Sequence, residues 1–263
     1  MLTSLTAPAF AGTWDIEKGD ITVKAGDEGT NNVKQGDNDF VKDEGDTVIT
    51  GKSDEHTVTI DTSEGNVDVT FDDLKIDVSG KKEGDGSGDS PVDAGKAAVT
   101  VQGDHDATIE LDGKNELKSG SYNAGLEKNE HEAEGTLTIK DDLNDDGSVK
   151  DKDENGNAVD GDTGKLLAGG YHESAAIGGG AGDLGDTSNI TITGGEITAI
   201  GGCDGGSGIG GGGRPGGTGK NICIKGNAHV TAAGAEGAAI GGGASGGNSI
   251  TITDLSLIHI SEP

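Results

Sequence analysis

The sequence predicts an all-β protein, a parallel β-helix in which three short strands form each rung and about four to five rungs stack on an N-terminal cap. Two observations support this fold class. Short segments rich in Ile, Val and Thr alternate between apolar and polar residues, which is typical of half-buried strands. These segments recur about every 31 residues, and such a period is the signature of a solenoid.

The clearest repeat is Ile-Gly-Gly-Gly, which occurs at 177–180, 209–212 and 240–243. Each copy is followed by a short β-branched segment, and each of the first two by a further strand-like segment. Glycine allows the tight corners between these segments, because it adopts positive φ without steric cost. We therefore expect Ile177, Ile209 and Ile240 to line up in one internal file.

The same triplet of segments extends upstream with less glycine. The predicted strands there are 56–60, 67–71 and 74–78, then 97–101, 107–111 and 115–118, then 124–127, 136–139 and 165–168. One narrow column of aliphatic residues needs few apolar side chains. A hydrophobic content of 30%, which otherwise suggests disorder, is thus compatible with a folded chain.

Polar residues also fall into columns when the repeats are aligned. An asparagine precedes the middle strand in several repeats, and we expect a hydrogen-bonded ladder of these residues: Asn66, Asn189 and Asn221. The same alignment places Asp72 with Asp112, and Asp73 with Asp141 and Asp254. Stacked carboxylates repel one another, so these columns are expected to splay into water or to hold cations.

The repeats occupy 56–254 and are interrupted by a surface loop at 81–95 and by a longer acidic insertion at 141–164. Strands scattered through 12–55 are expected to cap the first rung, because the open end of a solenoid must be covered.

Both ends of the chain are expected to lie outside the fold. Residues 1–11 end in Ala9-Phe10-Ala11, the small-x-small pattern of a signal-peptide cleavage site, and are predicted to be a signal-peptide remnant. Residues 255–263 match the translation of a sequencing adapter and are predicted not to be biological. On that interpretation, C-terminal domains of the natural chain are missing.

Charge excludes several classes of partner. With 19 Lys and Arg against 48 Asp and Glu, the net charge is −29, and nucleic acid is not expected to bind. The sequence contains no apolar run of about 18 residues, so no membrane span is predicted.

A disulfide between Cys203 and Cys223 stays open, since a bridge needs Cα atoms within about 7 Å.

The strongest local motif lies in the acidic insertion. Asp142, Asn144 and Asp146 form D-x-N-x-D-G, with Asp153 at the twelfth position, and a second frame starts at Asp151. Alternating oxygen ligands around a glycine turn are typical of a calcium loop, so calcium is the predicted cofactor. The twelfth residue is Asp rather than Glu, which weakens bidentate binding. The alternative is a solvated acidic loop.

Tyr122 and Tyr171 are predicted at the same corner of successive rungs, where two rings would form a platform for a sugar. The alternative is ordinary aromatic stacking on the outer surface.

Catalysis is not predicted. Arg214 lies in a flexible Gly-Arg-Pro-Gly corner, and the six histidines are scattered without metal-ligand spacing.

The strings TWDIEKGDITV, HTVTID, ATIELDG, AGLEK, GTLTI and AAIGGG with NITITGGEITA support a resemblance. Over 12–254 the chain resembles the glycine-rich repeat region of large secreted or cell-surface proteins of gut-type Firmicutes, which are carbohydrate-binding-domain-like. The resemblance implies a right-handed β-helix of the pectate-lyase type. It carries no catalytic residues over to this sequence.

The predicted function is that of a non-catalytic extracellular module of a larger surface protein, acting as a rigid spacer or adhesive segment. The first alternative is a calcium-assisted carbohydrate-binding module that recognises a polysaccharide or a host or cell-wall glycan. The second is an enzyme similar to polysaccharide lyases. The expected location is secreted or cell-surface.

Overall fold

A computed structural model describes residues 12–79, 95–141, 163–182, 185–213, 216–244, 246–252 and 257–261. These residues form an all-β structure that includes two short 3₁₀ turns, Ile16–Lys18 and Asp27–Gly29. Within the same ranges, no helix has the length and apolar character that crossing a membrane requires.

The described residues form 22 strands, most of them between two and six residues long. In chain order they are β1 (Thr13–Asp15), β2 (Ile21–Ala25), β3 (Asn31–Gln35), β4 (Val41–Asp43), β5 (Val48–Ser53), β6 (Val58–Asp61), β7 (Val67–Asp77), β8 (Val99–Gly103), β9 (Ala107–Asp112), β10 (Lys114–Lys118), β11 (Leu126–Ala133), β12 (Leu137–Asp141), β13 (Lys165–Gly169), β14 (Ile177–Gly178), β15 (Thr187–Ile192), β16 (Glu196–Ile200), β17 (Ile209–Gly210), β18 (Gly219–Ile224), β19 (His229–Ala233), β20 (Ile240–Gly241), β21 (Asn248–Ile252) and β22 (Leu257–Ser261).

The strands form two sheets. The larger is 13-stranded, curls into a half-barrel and runs β21-β18-β15-β12-β9-β7-β10-β13-β16-β19-β22, with β5 on β7 and β1 on β5. The smaller is nine-stranded and runs β20-β17-β14-β11-β8-β6-β2-β3-β4. Every pairing is parallel except those of β3 with β2 and β4. From β6 onward, neighbouring strands come from successive sequence repeats.

Alternation along each strand decides which side chains enter the core. In β9, Ala107, Ile109 and Leu111 are buried, while the residues between them face outward. In the nine-stranded sheet, Ile177 lies beside Ile209, and Ile209 beside Ile240. All three are buried, which confirms the predicted file. Each such side chain stabilises the fold by about 1.5–3 kcal/mol.

One strand, β7, connects the two halves of the large sheet. The sequence predicts two separate segments here, whereas the structure has one 11-residue strand. Its first half pairs with β9 and its second half with β10. The direction changes at Asp73, whose φ of 50° is left-handed. The Asp73 carboxylate accepts a hydrogen bond of 2.9 Å from the Lys114 backbone N–H, which ties the bend to the next repeat.

The asparagine ladder is present between two of its three predicted members. Asn221 Nδ2 donates to Asn189 Oδ1 at 3.1 Å, and both residues have left-handed backbones. Asn66 accepts instead from the backbone N–H of Asp106 at 3.1 Å. The ladder therefore joins consecutive glycine-rich repeats only.

The aspartate columns are confirmed in one case and wrong in another. Asp72 lies beside Asp112, as the alignment predicts. Asp141 lies beside Leu111 rather than Asp73, and it is buried. Its carboxylate accepts from the Gly164 backbone N–H at 3.2 Å, so it joins the two ends of the acidic insertion instead of extending a charged column. Asp254, the third member of that predicted column, lies outside the described residues.

The region 12–55 contains both parallel and antiparallel pairing. Strands β1, β2 and β5 continue the parallel pattern, whereas β3 and β4 add an antiparallel edge to the nine-stranded sheet. Asp43 is buried and holds this region together, since it accepts from the Gly12 N–H and the Trp14 indole, both at 2.9 Å.

At the C-terminal end of the chain, β22 pairs with β19. Alternation alone is sufficient for such pairing, so β22 does not bear on the origin of 255–263.

Substituting a stacked glycine should destabilise the glycine-rich repeats. Gly210 has φ +136°, and an added Cβ would overlap the Gly241 carbonyl oxygen. We expect Gly210→Ala to lower the free energy of unfolding by about 3 kcal/mol, measured by urea denaturation. Gly169→Ala is the matched control, because its Cβ would meet only Lys118 Cγ at 3.6 Å. Equal stabilities of the two variants would contradict the close stacking.

Candidate functional site

One candidate site is a corner where three polar side chains from neighbouring repeats meet. The chain turns after β13 and again after β16, and a parallel bridge between His172 and Cys203 sets these turns side by side. The Glu173 N–H donates to the Cys203 carbonyl at 2.8 Å. Glu173 and Asp204 share left-handed φ values of 56° and 62°, so the backbone takes the same path at both turns.

The side chains at this corner converge. His172 Nε2 lies 3.1 Å from Asp204 Oδ2, and these side chains are 37% and 46% exposed. The Cys203 thiol is exposed beside them, and the three potential ligand atoms all lie within 4.8 Å of one another. The other ring nitrogen, His172 Nδ1, is buried and has no hydrogen-bond partner among the described residues. We call His172, Cys203 and Asp204 the corner cluster.

Both predicted sugar-binding tyrosines lie beside the corner cluster. The Tyr122 N–H donates to the His172 carbonyl at 3.1 Å, and its ring packs edge-on against the His172 imidazole, with centroids 5.3 Å apart. Tyr171 is 50% exposed, and its N–H donates to Ser174 Oγ at 3.2 Å. Within the described residues, the ring packed against Tyr122 is that of His172. A sugar platform of Tyr122 and Tyr171 stays a prediction.

The cysteines are separate free thiols in the structure. Partial burial and the neighbouring carboxylates of Asp204 and Glu173 raise the pKa of the Cys203 thiol. Without a nearby cation, Cys203 is therefore protonated at neutral pH and is a weak nucleophile.

A second candidate site is a groove on the outer face of the 13-stranded sheet. Two adjoining depressions of about 470 and 320 Å³ share Lys75 and Glu116. They cross the ends of β5, β7, β10, β13 and β16. We call this feature the lysine groove and define it by Lys52, Lys75, Lys114, Lys165, Glu116 and Glu196. Four further carboxylates line the first depression, those of Glu17, Asp54, Glu55 and Asp77, so the lysines lie among acidic side chains.

Lysines lie next to one another in the lysine groove. Lys52 is the register partner of Lys75, and Lys114 is that of Lys165. Such partners are about 4.8 Å apart, and like charges at this separation destabilise a sheet. Lys165 forms an ion pair of 2.6 Å with Glu196. Lys52, Lys75 and Lys114 have no ion-pair partner among the described residues, so three cationic side chains are available to a ligand.

Two charged residues are buried in β11, and neither burial is predicted from the strand pattern. Lys128 is 1% exposed and occupies an inward position beside Val101. Its ammonium donates to the Ala133 and Ser188 carbonyls at 2.6 and 2.8 Å. Burial lowers the pKa of Lys128 to about 8. The two carbonyls thus compensate only part of the cost of removing this charge from water.

Glu127 faces the opposite way from Lys128. It accepts hydrogen bonds from the Ala124 N–H at 2.9 Å and from Asn129 Nδ2 at 3.1 Å. Gly180 lies over the carboxylate, where an added Cβ would be 2.9 Å from Oε2. Burial raises the pKa of Glu127 to about 7. The covering backbone leaves no open approach, so Glu127 is interpreted as structural.

The predicted calcium ligands, Asp142, Asn144, Asp146, Asp151 and Asp153, lie outside the described residues. The structure describes only the ends of that insertion, which the Asp141–Gly164 hydrogen bond brings together. The corner cluster and the lysine groove were not predicted. The members of each come from different repeats, so their proximity depends on register rather than on local spacing.

The buried Glu127 carboxyl should make stability depend on pH. The folded protein binds this proton more tightly than the unfolded chain, so stability falls as pH rises from 4.5, the ordinary pKa, to about 7. Relative to Glu127→Gln, we expect the parent to lose up to roughly 3 kcal/mol across this interval in urea titrations. A parent whose stability follows that of Glu127→Gln at every pH would contradict the shifted pKa.

Comparisons with known proteins add no further assignment. No family model, curated protein or solved structure matches this chain. Its function is therefore inferred from the geometry of the lysine groove and the corner cluster.

Proposed function

We propose that the chain forms a right-handed parallel β-helix that serves as a non-catalytic, extracellular adhesive module and binds an acidic glycan along the lysine groove. The observation that carries the binding proposal is the presence of adjacent lysines in a concave surface of a chain with net charge −29, where Lys52, Lys75 and Lys114 form no ion pair with any described residue. The architecture and the ligand are supported by different observations.

The β-helix is supported by the order of the strands. From β6 onward, each strand pairs in parallel with the equivalent strand of the next repeat. Strands of this kind are joined by crossover connections, which are right-handed in about 98% of cases. Three strands per rung would place β8, β9 and β10 on one turn. The antiparallel strands β3 and β4 would then cap the first rungs.

The charge distribution supports an anionic ligand. Most of the surface repels anions, but beyond a Debye length of about 8 Å this repulsion is screened at physiological salt. Inside the lysine groove, Lys52 and Lys75 are like-charged neighbours that repel each other, and Glu116, the register partner of Lys75 on its other side, offsets part of this repulsion. A ligand carboxylate would relieve that repulsion and also form charge-assisted hydrogen bonds.

The direction of the groove supports a linear polymer. Each lysine pair is carried by two neighbouring strands, and the next strand places a glutamate beside it, Glu116 or Glu196. The two lysines of a pair are about 4.8 Å apart, which is comparable to the length of one sugar residue. A polysaccharide that carries a carboxylate on its sugars would therefore present successive carboxylates to one pair.

The carboxylates of the groove support binding rather than glycoside hydrolysis. Glu116 forms an ion pair with Lys118, and Glu196 forms one with Lys165. A hydrolase needs one protonated and one free carboxyl group flanking the substrate. Glu116 and Glu196 already contact lysines, so neither carboxyl is free to approach a glycosidic oxygen as a general acid. A role as a rigid spacer is compatible with glycan binding, since stacked repeats resist bending.

Removing two lysines of the groove should weaken glycan binding. We expect the parent to bind polygalacturonate or alginate in isothermal titration calorimetry, and not neutral dextran. The double variant Lys75→Ala/Lys114→Ala should weaken binding at least tenfold, which corresponds to about 1.4 kcal/mol. Lys225→Ala, an exposed lysine outside the groove, is the matched control and should bind like the parent.

Repeating the titration with a chelator separates the groove from the predicted calcium loop. Binding that persists in the chelator and is weakened in the double variant supports the proposal. Absence of binding to either acidic polymer at millimolar sugar would contradict it. Equal losses in Lys225→Ala and the double variant would also contradict it, because the effect would then reflect net charge alone.

A further inference from the structure

The corner cluster brings a nitrogen, a sulfur and an oxygen donor to one exposed point. The bridge between His172 and Cys203 sets the first two side by side, and Asp204 follows directly in the chain. His172 Nε2 and Asp204 Oδ2 are 3.1 Å apart, and all three ligand atoms lie within 4.8 Å of one another. Three side chains from two repeats thus converge on a volume the size of an ion.

These separations are close to those around a tetrahedral metal. Zinc binds sulfur at about 2.3 Å and nitrogen or oxygen at about 2.0–2.2 Å, so its ligands lie about 3.3–3.8 Å from one another. The His172–Asp204 distance already falls near this range. Cys203 is exposed, so a small rotation of its side chain would bring the sulfur closer.

The types of donor select the class of metal. Thiolate and imidazole favour zinc and similar borderline-soft ions, whereas calcium and magnesium take oxygen ligands. We propose that His172, Cys203 and Asp204 bind one zinc-class divalent ion, with the fourth position open to water or an external ligand. The site is distinct from the lysine groove, so this proposal does not depend on glycan binding.

The backbone holds two of the ligands in place before any metal binds. The Glu173 N–H fixes the Cys203 carbonyl at 2.8 Å, and the left-handed φ of 62° at Asp204 sets the direction of its side chain. The Tyr122 ring packs against the imidazole of His172. A preorganised ligand set loses less conformational entropy on binding.

One feature limits the affinity. Metal-bound histidines usually donate their second ring N–H to an acceptor, but His172 Nδ1 has no partner among the described residues. We therefore expect binding about 10–100-fold weaker than at a site with that second hydrogen bond.

Binding also releases a proton. The Cys203 thiol must lose its proton to solvent when the sulfur–metal bond forms, so affinity should rise with pH. The ion's positive charge then offsets the repulsion between the thiolate and the neighbouring carboxylates of Asp204 and Glu173. Histidine and aspartate contribute lone pairs without any change of oxidation state.

Cobalt titration of the reduced protein tests this site. Co²⁺ should bind with one-to-one stoichiometry and give the near-ultraviolet charge-transfer absorption of a cobalt–thiolate bond, which Zn²⁺ should abolish by displacement. Excess Ca²⁺ is included to occupy carboxylate sites, and it should leave the absorption unchanged. Cobalt bound only by carboxylates gives no such band, so the readout reports on sulfur.

Variants assign the band to the corner cluster. Cys203→Ser should remove it, and His172→Gln or Asp204→Asn should weaken cobalt binding at least tenfold, with folding checked by circular dichroism. Cys223→Ser is the matched control and should retain the band. A band that survives in Cys203→Ser, a band lost only in Cys223→Ser, or no band in folded, reduced parent would each overturn the proposal.

Discussion

The structure depends on direct contact between stacked backbones at the glycine that follows each repeated isoleucine. Gly178, Gly210 and Gly241 lie beside one another with left-handed φ values between 131° and 136°. A side chain at Gly178 or Gly210 would overlap the carbonyl oxygen of the next repeat. Because this contact admits little adjustment, it fixes the register of the glycine-rich repeats. The aliphatic file then forms with very few apolar residues.

The fixed register also determines which side chains are neighbours on the surface. Side chains that are one repeat apart become lateral neighbours, so a like-charged pair or a mixed donor set arises wherever two repeats carry suitable residues at one position. The pair Lys52–Lys75 and the pair His172–Cys203 both arise in this way. A shift of one residue in either pairing would turn one member toward the core.

Alternation and period predicted most of the strands and the file of Ile177, Ile209 and Ile240, because both signals follow directly from strand geometry. They did not predict the burial of Lys128 or Asp141. Each of these residues satisfies backbone groups freed by an irregularity, a register shift after Lys128 and the insertion after Asp141. Compensation of that kind depends on where the chain returns, which a strand pattern does not encode. The same applies to the corner cluster, whose members have no local motif.

The carboxylate of Asp141 and the ammonium of Lys128 also divide the molecule into two regimes. Upstream of β13, a buried charged side chain bonds to the backbone at each irregularity of the strands. Exchanging one unit there for another would leave such a charge without its hydrogen-bond partner. Downstream, the units that begin at Ile177 and Ile209 place isoleucine beside isoleucine and glycine beside glycine. Duplication of such a unit would therefore repeat these contacts and lengthen the stack without adding a buried charge.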